Sequence, residues 1–338
     1  NLDKGTFKIT NENLFTYLNE YNTSYKIIND NKVISEGVIS DNCKPQSDIT
    51  IQITLDFKKI NNGVYTSIIF ESKLKNDTNY NASKNDVIAY EQITLYENKQ
   101  KTYKSDSKFI NVTEDEKLIS INGKNDDNDF NIIFNKNSGL IESYTLNNNV
   151  LFNNGPKLNY TRSPISNDSQ YTFNTKKKTK YAIELYDTQQ AYVINKTEVT
   201  KSDNDIKIAI NGKLNLSNDI IKIDYTIHSD GTISVFNEFK PSHKLSGIIP
   251  KVGMELILNK DFELVSYYGK GPYENYTDRN SGSNKSIYET NANDMFEYKY
   301  LRPQDNGNRT NVSYFKVSND KDLGILITGD NLQVSYLP

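Results

Sequence analysis

The richest chemistry in this sequence lies in residues 267–282, which read YYGKGPYENYTDRNSG. Glu274 and Asp278 are four positions apart, and Arg279 follows the second acid directly. A glycosidase needs two carboxylates that flank the sugar, one acting as an acid and the other as a base or nucleophile. The residue types and their spacing therefore make a paired-carboxylate site one hypothesis for this stretch.

A structural role is the alternative for the same acids, and it is the interpretation that we favour. The stretch contains glycines and a proline, so no helix fixes the separation of the two carboxylates. Carboxylates in such a loop accept hydrogen bonds from backbone amides and from arginine. We predict that Glu274, Asp278 and Arg279 fix a turn in this way.

A second polar stretch, LNYTRSPISNDSQY, covers residues 158–171. Arg162, Asn167 and Asp168 are candidates for the lining of a polar groove. The alternative is a long loop in which the asparagine and aspartate side chains bond to their own backbone. The residues themselves leave both interpretations open.

The sequence contains two histidines, His228 and His243. A mutarotase-like enzyme would bring an acid and a base into one pocket, and histidine is a common choice for both. His228 lies two residues before the turn signal Asp230-Gly231, and His243 follows Pro241 in a polar segment. We predict that both histidines are surface residues and that they do not form a catalytic pair.

Composition and charge exclude several classes of function. The formal net charge is −3 with acids and bases interspersed, so no basic stripe indicates a nucleic-acid partner. Cys43 is the single cysteine, which excludes an internal disulfide and a multi-cysteine metal site. No apolar run is long enough for a membrane span. We expect no metal, no membrane partner and a cytoplasmic location.

The elements that would position these residues are β-strands. Residues 205–239, DIKIAINGKLNLSNDIIKIDYTIHSDGTISVFNEF, alternate between apolar and polar side chains. Such alternation places one face of each strand on a core. Asn211-Gly212 and Asp230-Gly231 carry the sequence signal of tight hairpin turns. The pattern predicts an antiparallel meander in an all-β fold.

Two β domains are predicted along the chain. Several short strands in residues 1–98 suggest an immunoglobulin-like β-sandwich. Residues 99–108 are polar and charged without aliphatic side chains, and we predict that they form a linker. The second β domain would cover residues 109–338, and we expect it to be incomplete at its C-terminus.

Two motifs in the second region resemble the C-terminal β domain of family 2 β-galactosidases of the LacZ type. The family patterns are aromatic-x-G-x-G-P-x-E-N-Y-x-D-R, followed by P-Q-E-N-G-x-R. Asp305 stands where the second pattern usually has glutamate. The matching residues are Tyr268, Gly269, Gly271, Pro272, Glu274, Asn275, Tyr276, Asp278 and Arg279 in the first motif, and Pro303, Gln304, Asn306, Gly307 and Arg309 in the second.

The resemblance covers nearly the whole chain and implies a fold. The first domain should be an immunoglobulin-like sandwich, and the second should be a large antiparallel β domain of the galactose-mutarotase-like supersandwich type. Residues 158–168 resemble the R-A-P-x-D-N-D loop of the family, which leads into a segment that closes near the active site. The resemblance thus implies that Arg162, Asn167 and Asp168 lie at an active-site rim. Ser166 replaces the first aspartate, and Gln170 stands where a hinge glycine is frequent.

The resemblance also implies what this chain lacks. In the family, both catalytic glutamates lie on a TIM barrel that precedes these two domains, and the magnesium and sodium sites lie there or earlier. We therefore expect no catalytic residue and no cofactor here. The chain would support the barrel of a parent enzyme, often a homo-oligomer, that hydrolyses terminal β-D-galactosides with retention.

Three alternatives stay open. The 24 tyrosines could stack on sugars in a carbohydrate-binding module. The same fold could carry a mutarotase-like enzyme. The chain could also be a subunit that complements a separate barrel chain, as in split galactosidases.

Overall fold

The computed structural model describes residues 1–79, 81–98, 111–125, 127–160, 162–163, 192–202, 204–215, 218–242, 251–301 and 304–337. The predicted linker, residues 99–108, lies outside these ranges, so the predicted domain boundaries stay predictions. The described strands form six sheets in which all strand pairs are antiparallel. The prediction of an all-β fold of the sandwich class is confirmed.

The first region contains a two-stranded sheet of order β1-β4 and a four-stranded sheet of order β3-β2-β5-β6. Apolar side chains from both sheets share one core, which includes Phe7, Ile27 and Ile51. Short 3-10 helices cover Leu2–Lys4 and Leu18–Glu20. The other elements are β1 Thr6–Asn11, β2 Tyr21–Asn29, β3 Lys32–Val38, β4 Ser47–Gln52, α1 Phe57–Ile60, β5 Tyr65–Leu74 and β6 Val87–Glu97.

The second region begins with a five-stranded meander of order β11-β10-β9-β8-β7. A four-stranded sheet of order β13-β14-β15-β16 follows, and β12 pairs with β17. The strands are β7 Asn111–Glu114, β8 Leu118–Asn125, β9 Asn128–Asn135, β10 Leu140–Leu146, β11 Asn149–Gly155, β12 Lys157–Asn159, β13 Tyr192–Lys201, β14 Asp205–Leu214, β15 Ile220–His228, β16 Ile233–Lys240 and β17 Gly253–Glu255.

A last four-stranded sheet, of order β19-β18-β20-β21, carries the two motifs. Its elements are β18 Leu264–Gly271, β19 Asn284–Asn291, the short helix α2 Ala292–Met295, β20 Arg309–Ser318 and β21 Gly324–Val334. The buried side chains of the second region form one cluster, to which the meander, the β13–β16 sheet and this sheet all contribute. Phe134 and Tyr225 meet edge-on across it with ring centroids 5.4 Å apart.

The meander prediction is correct for β14 to β16 except at one turn. Asp230-Gly231 forms the turn before β16, with Gly231 at φ +83°. Asn211-Gly212 lies inside β14 and pairs with β13 and β15 on both sides, so the hairpin prediction there is wrong. A Cβ on Gly212 would lie 2.4 Å from Val193 O, so glycine permits close strand approach rather than a turn.

Polar contacts join β19 to the first region. The Gln92 amide donates to Lys285 O at 2.8 Å and accepts from Lys285 N at 2.7 Å. Lys285 Nζ bonds to Glu97 at 2.5 Å and lies 4.5 Å from the ring centroid of Tyr268. Tyr65 packs on the same ring, with centroids 5.0 Å apart. These contacts hold β18 and β19 against the first region, next to the start of the first motif.

Candidate functional site

Glu274 follows β18 and is largely enclosed by hydrogen-bond donors. Arg279 Nη2 lies 2.8 Å from Oε1, and the Tyr300 hydroxyl donates to the same oxygen. Gly307 N donates to Oε2 at 2.9 Å, and the Tyr276 hydroxyl lies 3.4 Å from that oxygen. Only 13% of the Glu274 side chain is exposed. Both carboxylate oxygens are therefore already used within the protein.

The protonation of Glu274 follows from these contacts. Burial by itself raises the pKa of Glu274, because it disfavours the charged form. The hydrogen bonds from Tyr300, Arg279 and Gly307 outweigh burial and hold the pKa below its usual value. A general acid in a glycosidase needs the opposite shift. Glu274 is therefore a poor proton donor and a stable anion at the centre of the loop.

Asn275 is fully buried, and each of its polar groups has a partner. Its Nδ2 donates to Lys270 O at 2.9 Å and to Tyr273 O at 3.0 Å. Its Oδ1 accepts from Thr310 N at 3.0 Å and from Thr310 Oγ1 at 2.6 Å. Its backbone N donates to Asn308 O, and its backbone O accepts from Asn308 Nδ2. Asn275 thus connects the loop after β18 to the start of β20.

Tyr276 and Arg279 close a tight turn. Tyr276 N donates to Arg279 O at 3.2 Å, and Arg279 N donates to Tyr276 O at 2.8 Å. The guanidinium carbon of Arg279 lies 5.4 Å from the Tyr276 ring centroid. Asp278 sits in the turn and is exposed. The two acids that the sequence pairs therefore have different environments, and Asp278 takes no part in the described contacts of Glu274.

The second motif provides the opposite side of the Glu274 site. Asn306 Nδ2 donates to Gln304 O, and its Oδ1 accepts from Glu297 N. Gly307 adopts φ +77°, a left-handed conformation that side chains disfavour, and a Cβ there would lie 2.5 Å from Met295 O. This conformation accompanies the hydrogen bond from Gly307 N to Glu274. Pro303 lies outside the described residues.

Arg309 is 3% exposed and holds the backbone of the second motif. Its Nη1 donates to Gly307 O at 3.0 Å and to Asn308 O at 3.3 Å. Its Nε donates to the Tyr267 hydroxyl at 3.2 Å, and Tyr267 belongs to β18. The guanidinium therefore joins the strand before the first motif to the end of the second.

A cavity of about 370 Å³ brings the two polar stretches of the sequence together. Asp305 N donates to Ser163 O at 3.3 Å, which joins the segment after β12 to the second motif. Nothing in the sequence marked Gln333, because it belongs to no motif and reaches the cavity only through the pairing of β20 and β21. The cavity is lined by Arg162, Tyr276, Thr277, Asp278, Asp305 and Gln333.

The remaining candidates are placed as follows. Asn167, Asp168 and His243 lie outside the described residues. His228 lies on β15, in a different sheet from both motifs, and bonds to Asp205 and Ser234. Gly269 and Gly271 lie within β18, and Pro272 follows it directly.

Among the described residues, no group of His, Cys, Asp and Glu has the arrangement of a metal site. Within those same ranges, no helix is long and apolar enough to cross a membrane.

The fold and the site define a multi-sheet β protein whose two motif loops enclose an ionised glutamate, and a cavity lined by charged and polar residues lies beside it. The family described as "Beta galactosidase small chain" matches residues 126–338, and "Beta-galactosidase, domain 4" matches residues 7–96. The chain belongs to the β-galactosidase small-chain family, and the suspected relationship is confirmed.

Three relatives named Beta-galactosidase illustrate the extent of the match. The protein of Priestia megaterium is 27% identical over 99% of this chain and 32% of its own length. That of Staphylococcus xylosus is 27% identical over 90% of this chain and 29% of its own length. That of Streptococcus thermophilus is 25% identical over 98% of this chain and 31% of its own length. The chain spans about a third of the length of these relatives.

Proposed function

We propose that this chain is the non-catalytic C-terminal portion of a larger β-galactosidase that hydrolyses terminal β-D-galactosides with retention. The family membership supports this proposal, as does a match to only about a third of each relative. The catalytic glutamates, with any magnesium and sodium, would then belong to a TIM barrel and other parts of the enzyme. The chain supports that barrel and shapes one rim of its active site.

The environment of Glu274 is the observation that carries the proposal. Retaining hydrolysis needs a carboxylic acid that donates a proton and a carboxylate that attacks the sugar. Glu274 has a lowered pKa, so it is not poised to donate. Its two oxygens are occupied by Arg279, Tyr300 and Gly307, so neither is free to attack. The geometry supports a carboxylate that holds two loops together.

The rim role is supported by the cavity beside Glu274. Arg162 comes from the segment after β12, whereas Asp278 and Asp305 come from the two motifs, and all three line the cavity. Charged and amide residues that line a common space can bond to the hydroxyl groups of a sugar or to a neighbouring domain. In the larger enzyme we place this cavity at the edge of the galactoside site.

Hydrolysis of a nitrophenyl β-D-galactoside tests the proposal. The purified chain should show no turnover by itself, while its co-expression with the barrel-containing remainder of the enzyme should give activity that neither part has alone. Turnover by the isolated chain that co-purifies with it through successive columns would overturn the proposal. An inactive pair whose two parts demonstrably associate would contradict the supporting role.

A sugar-binding module is the second candidate, because an aromatic residue, Tyr276, and two charged residues, Asp278 and Arg162, line one open cavity. Titration of the isolated chain with galactose or lactose by calorimetry distinguishes the candidates. A sugar affinity that falls at least about tenfold in the Asp278→Asn variant would support the binding module. The absence of binding heat at millimolar sugar would exclude it. A homo-oligomeric parent and a cytoplasmic location stay predictions.

A further inference from the structure

His228 stands between a carboxylate and a serine hydroxyl on the β13–β16 sheet. Its Nδ1 lies 2.7 Å from Asp205 Oδ1, and its Nε2 lies 2.9 Å from Ser234 Oγ. Both distances are within ordinary hydrogen-bond range. An acid, an imidazole and a serine hydroxyl in that order are the three groups of a nucleophilic serine site.

The strand register explains why the three side chains meet. Asp205 on β14 is the direct partner of His228 on β15, so their side chains lie on the same face. Ser234 on β16 is the partner of Thr226, two residues before His228, and therefore lies diagonally across from it on that face. The intervening Ile227 is fully buried, so the three polar side chains lie on the outer face of the sheet.

The contacts determine which nitrogen of the neutral imidazole carries the proton. An ionised carboxylate only accepts hydrogen bonds, so Asp205 requires a proton on Nδ1 of His228. Nε2 is then unprotonated and accepts the hydrogen bond from the Ser234 hydroxyl. This is the tautomer in which a histidine acts as a general base toward a serine. The His228 and Asp205 side chains are 30% and 35% exposed, and Ser234 is exposed, so a small molecule can reach the site.

We propose that Ser234 is a nucleophilic serine that accepts acyl groups from small activated esters, with His228 as the general base and Asp205 as the positioning residue. Ser234 Oγ attacks the ester carbonyl while its proton moves to Nε2 of His228. The carbon–oxygen bond to the leaving alcohol breaks, and the alcohol takes up that proton. Water then attacks the acyl-serine with His228 again as base, which releases the carboxylic acid and restores the Ser234 hydroxyl.

The surroundings of Ser234 define the substrate class. In the turn beside it, Gly231 N already donates to His228 O, and Thr232 N donates to Asp230 Oδ1. These two N–H groups are therefore not available to stabilise an oxyanion. The reaction is then restricted to esters with a good leaving group, such as nitrophenyl acetate, and to phosphorus reagents of similar reactivity.

The competing interpretation is a polar cross-strand ladder that only stabilises the sheet. A ladder lowers stability when it is broken but gives the serine no unusual reactivity. The site also lies in another sheet from the two motifs, so this proposal and the β-galactosidase proposal can fail independently.

A fluorophosphonate probe tests the proposal on the full chain. Ser234 Oγ displaces fluoride from phosphorus, and the proton passes through His228 to water, so intact-mass and peptide mass spectrometry should find one phosphonyl group on Ser234. Ser234→Ala should abolish this label. His228→Gln and Asp205→Asn should slow it at least about tenfold, since general-base catalysis contributes about 10²–10⁴-fold. Ser138→Ala, which changes an exposed serine in the turn before β10, should leave it unchanged.

Hydrolysis of nitrophenyl acetate provides the second readout, with circular dichroism to show that each variant is folded. The expected result is a burst of nitrophenol that Ser234→Ala loses and Ser138→Ala keeps. Wild-type protein that is not labelled at Ser234, or that is labelled at the same rate after His228→Gln, would overturn the proposal and leave the polar ladder as the role of these residues.

Discussion

Glu274→Gln replaces a largely enclosed carboxylate by an amide of the same shape. The wild-type oxygens accept from Arg279 and Tyr300 on one side and from Gly307 N on the other. The amide has one acceptor oxygen and one donor group, so either orientation sets its NH₂ against a donor. A hydrogen bond to a charged group contributes about 1.5–3 kcal/mol, and the donor that faces the NH₂ group of the variant loses one such bond.

We therefore expect Glu274→Gln to lower the free energy of unfolding by about 2–3 kcal/mol at neutral pH. For a β domain of this size, such a loss lowers the melting temperature by about 4–12 °C. Thermal unfolding can be followed by near-ultraviolet circular dichroism of the tyrosines. Asp278→Asn is the matched control, because Asp278 is exposed, and it should change stability by less than about 0.5 kcal/mol.

The pH dependence gives an independent check. The pKa of Glu274 is lower in the folded protein than in the unfolded chain, so its stabilising contribution is present above the unfolded value of about 4.3. That contribution is lost as the pH falls through the folded pKa. The difference between wild type and Glu274→Gln should therefore be largest at neutral pH and decrease below pH ~4. A variant as stable as wild type at pH 7, or a difference that persists unchanged on acidification, would show that the ionised Glu274 carboxylate does not stabilise the fold.

Three further variants test other contacts of the β18–β21 sheet and its loops. Asn275→Asp sets a carboxylate oxygen against two backbone carbonyls, so urea unfolding should show that the free energy of unfolding falls by about 3 kcal/mol or more. A decrease of less than about 0.5 kcal/mol would contradict the buried hydrogen-bond network. Gly307→Ala strains a left-handed residue against a carbonyl and should cost about 2 kcal/mol or more, whereas Gly282→Ala, which adds a Cβ in open space, should be neutral. Lys285→Met removes the ion pair with Glu97 and should cost about 1 kcal/mol at low salt, a difference that 1 M NaCl should reduce.

Alternation of apolar and polar residues was sufficient to predict β14 and β15, because every second residue of these two strands is buried. The turn at Asp230-Gly231 also follows from local chemistry. Asn211-Gly212 carries the same local signal but lies inside β14, since the strands on both sides pair through it. Tertiary pairing overrides a local turn preference there, and no local pattern reveals it.

The motifs identified the residues around Glu274, but their separate roles depend on burial. The sequence does not show which of the two acids is enclosed. In the structure Glu274 is enclosed by Arg279, Tyr300 and Gly307, whereas Asp278 is exposed. Gln333 reaches the cavity through strand pairing rather than through a motif. The contact of His228 with Ser234 depends in the same way on the register of β15 and β16. Such contacts depend on which strands pair and in what register, and the order of residues along the chain specifies neither.

The activity of the isolated chain, measured in parallel for wild type and Glu274→Gln, distinguishes a structural from a catalytic role of Glu274. If Glu274 holds two loops together and the catalytic carboxylates belong to another part of the enzyme, neither protein should hydrolyse a nitrophenyl β-D-galactoside above the buffer rate at a temperature where both are folded. Wild-type turnover that disappears in a folded Glu274→Gln variant would instead show that Glu274 is catalytic.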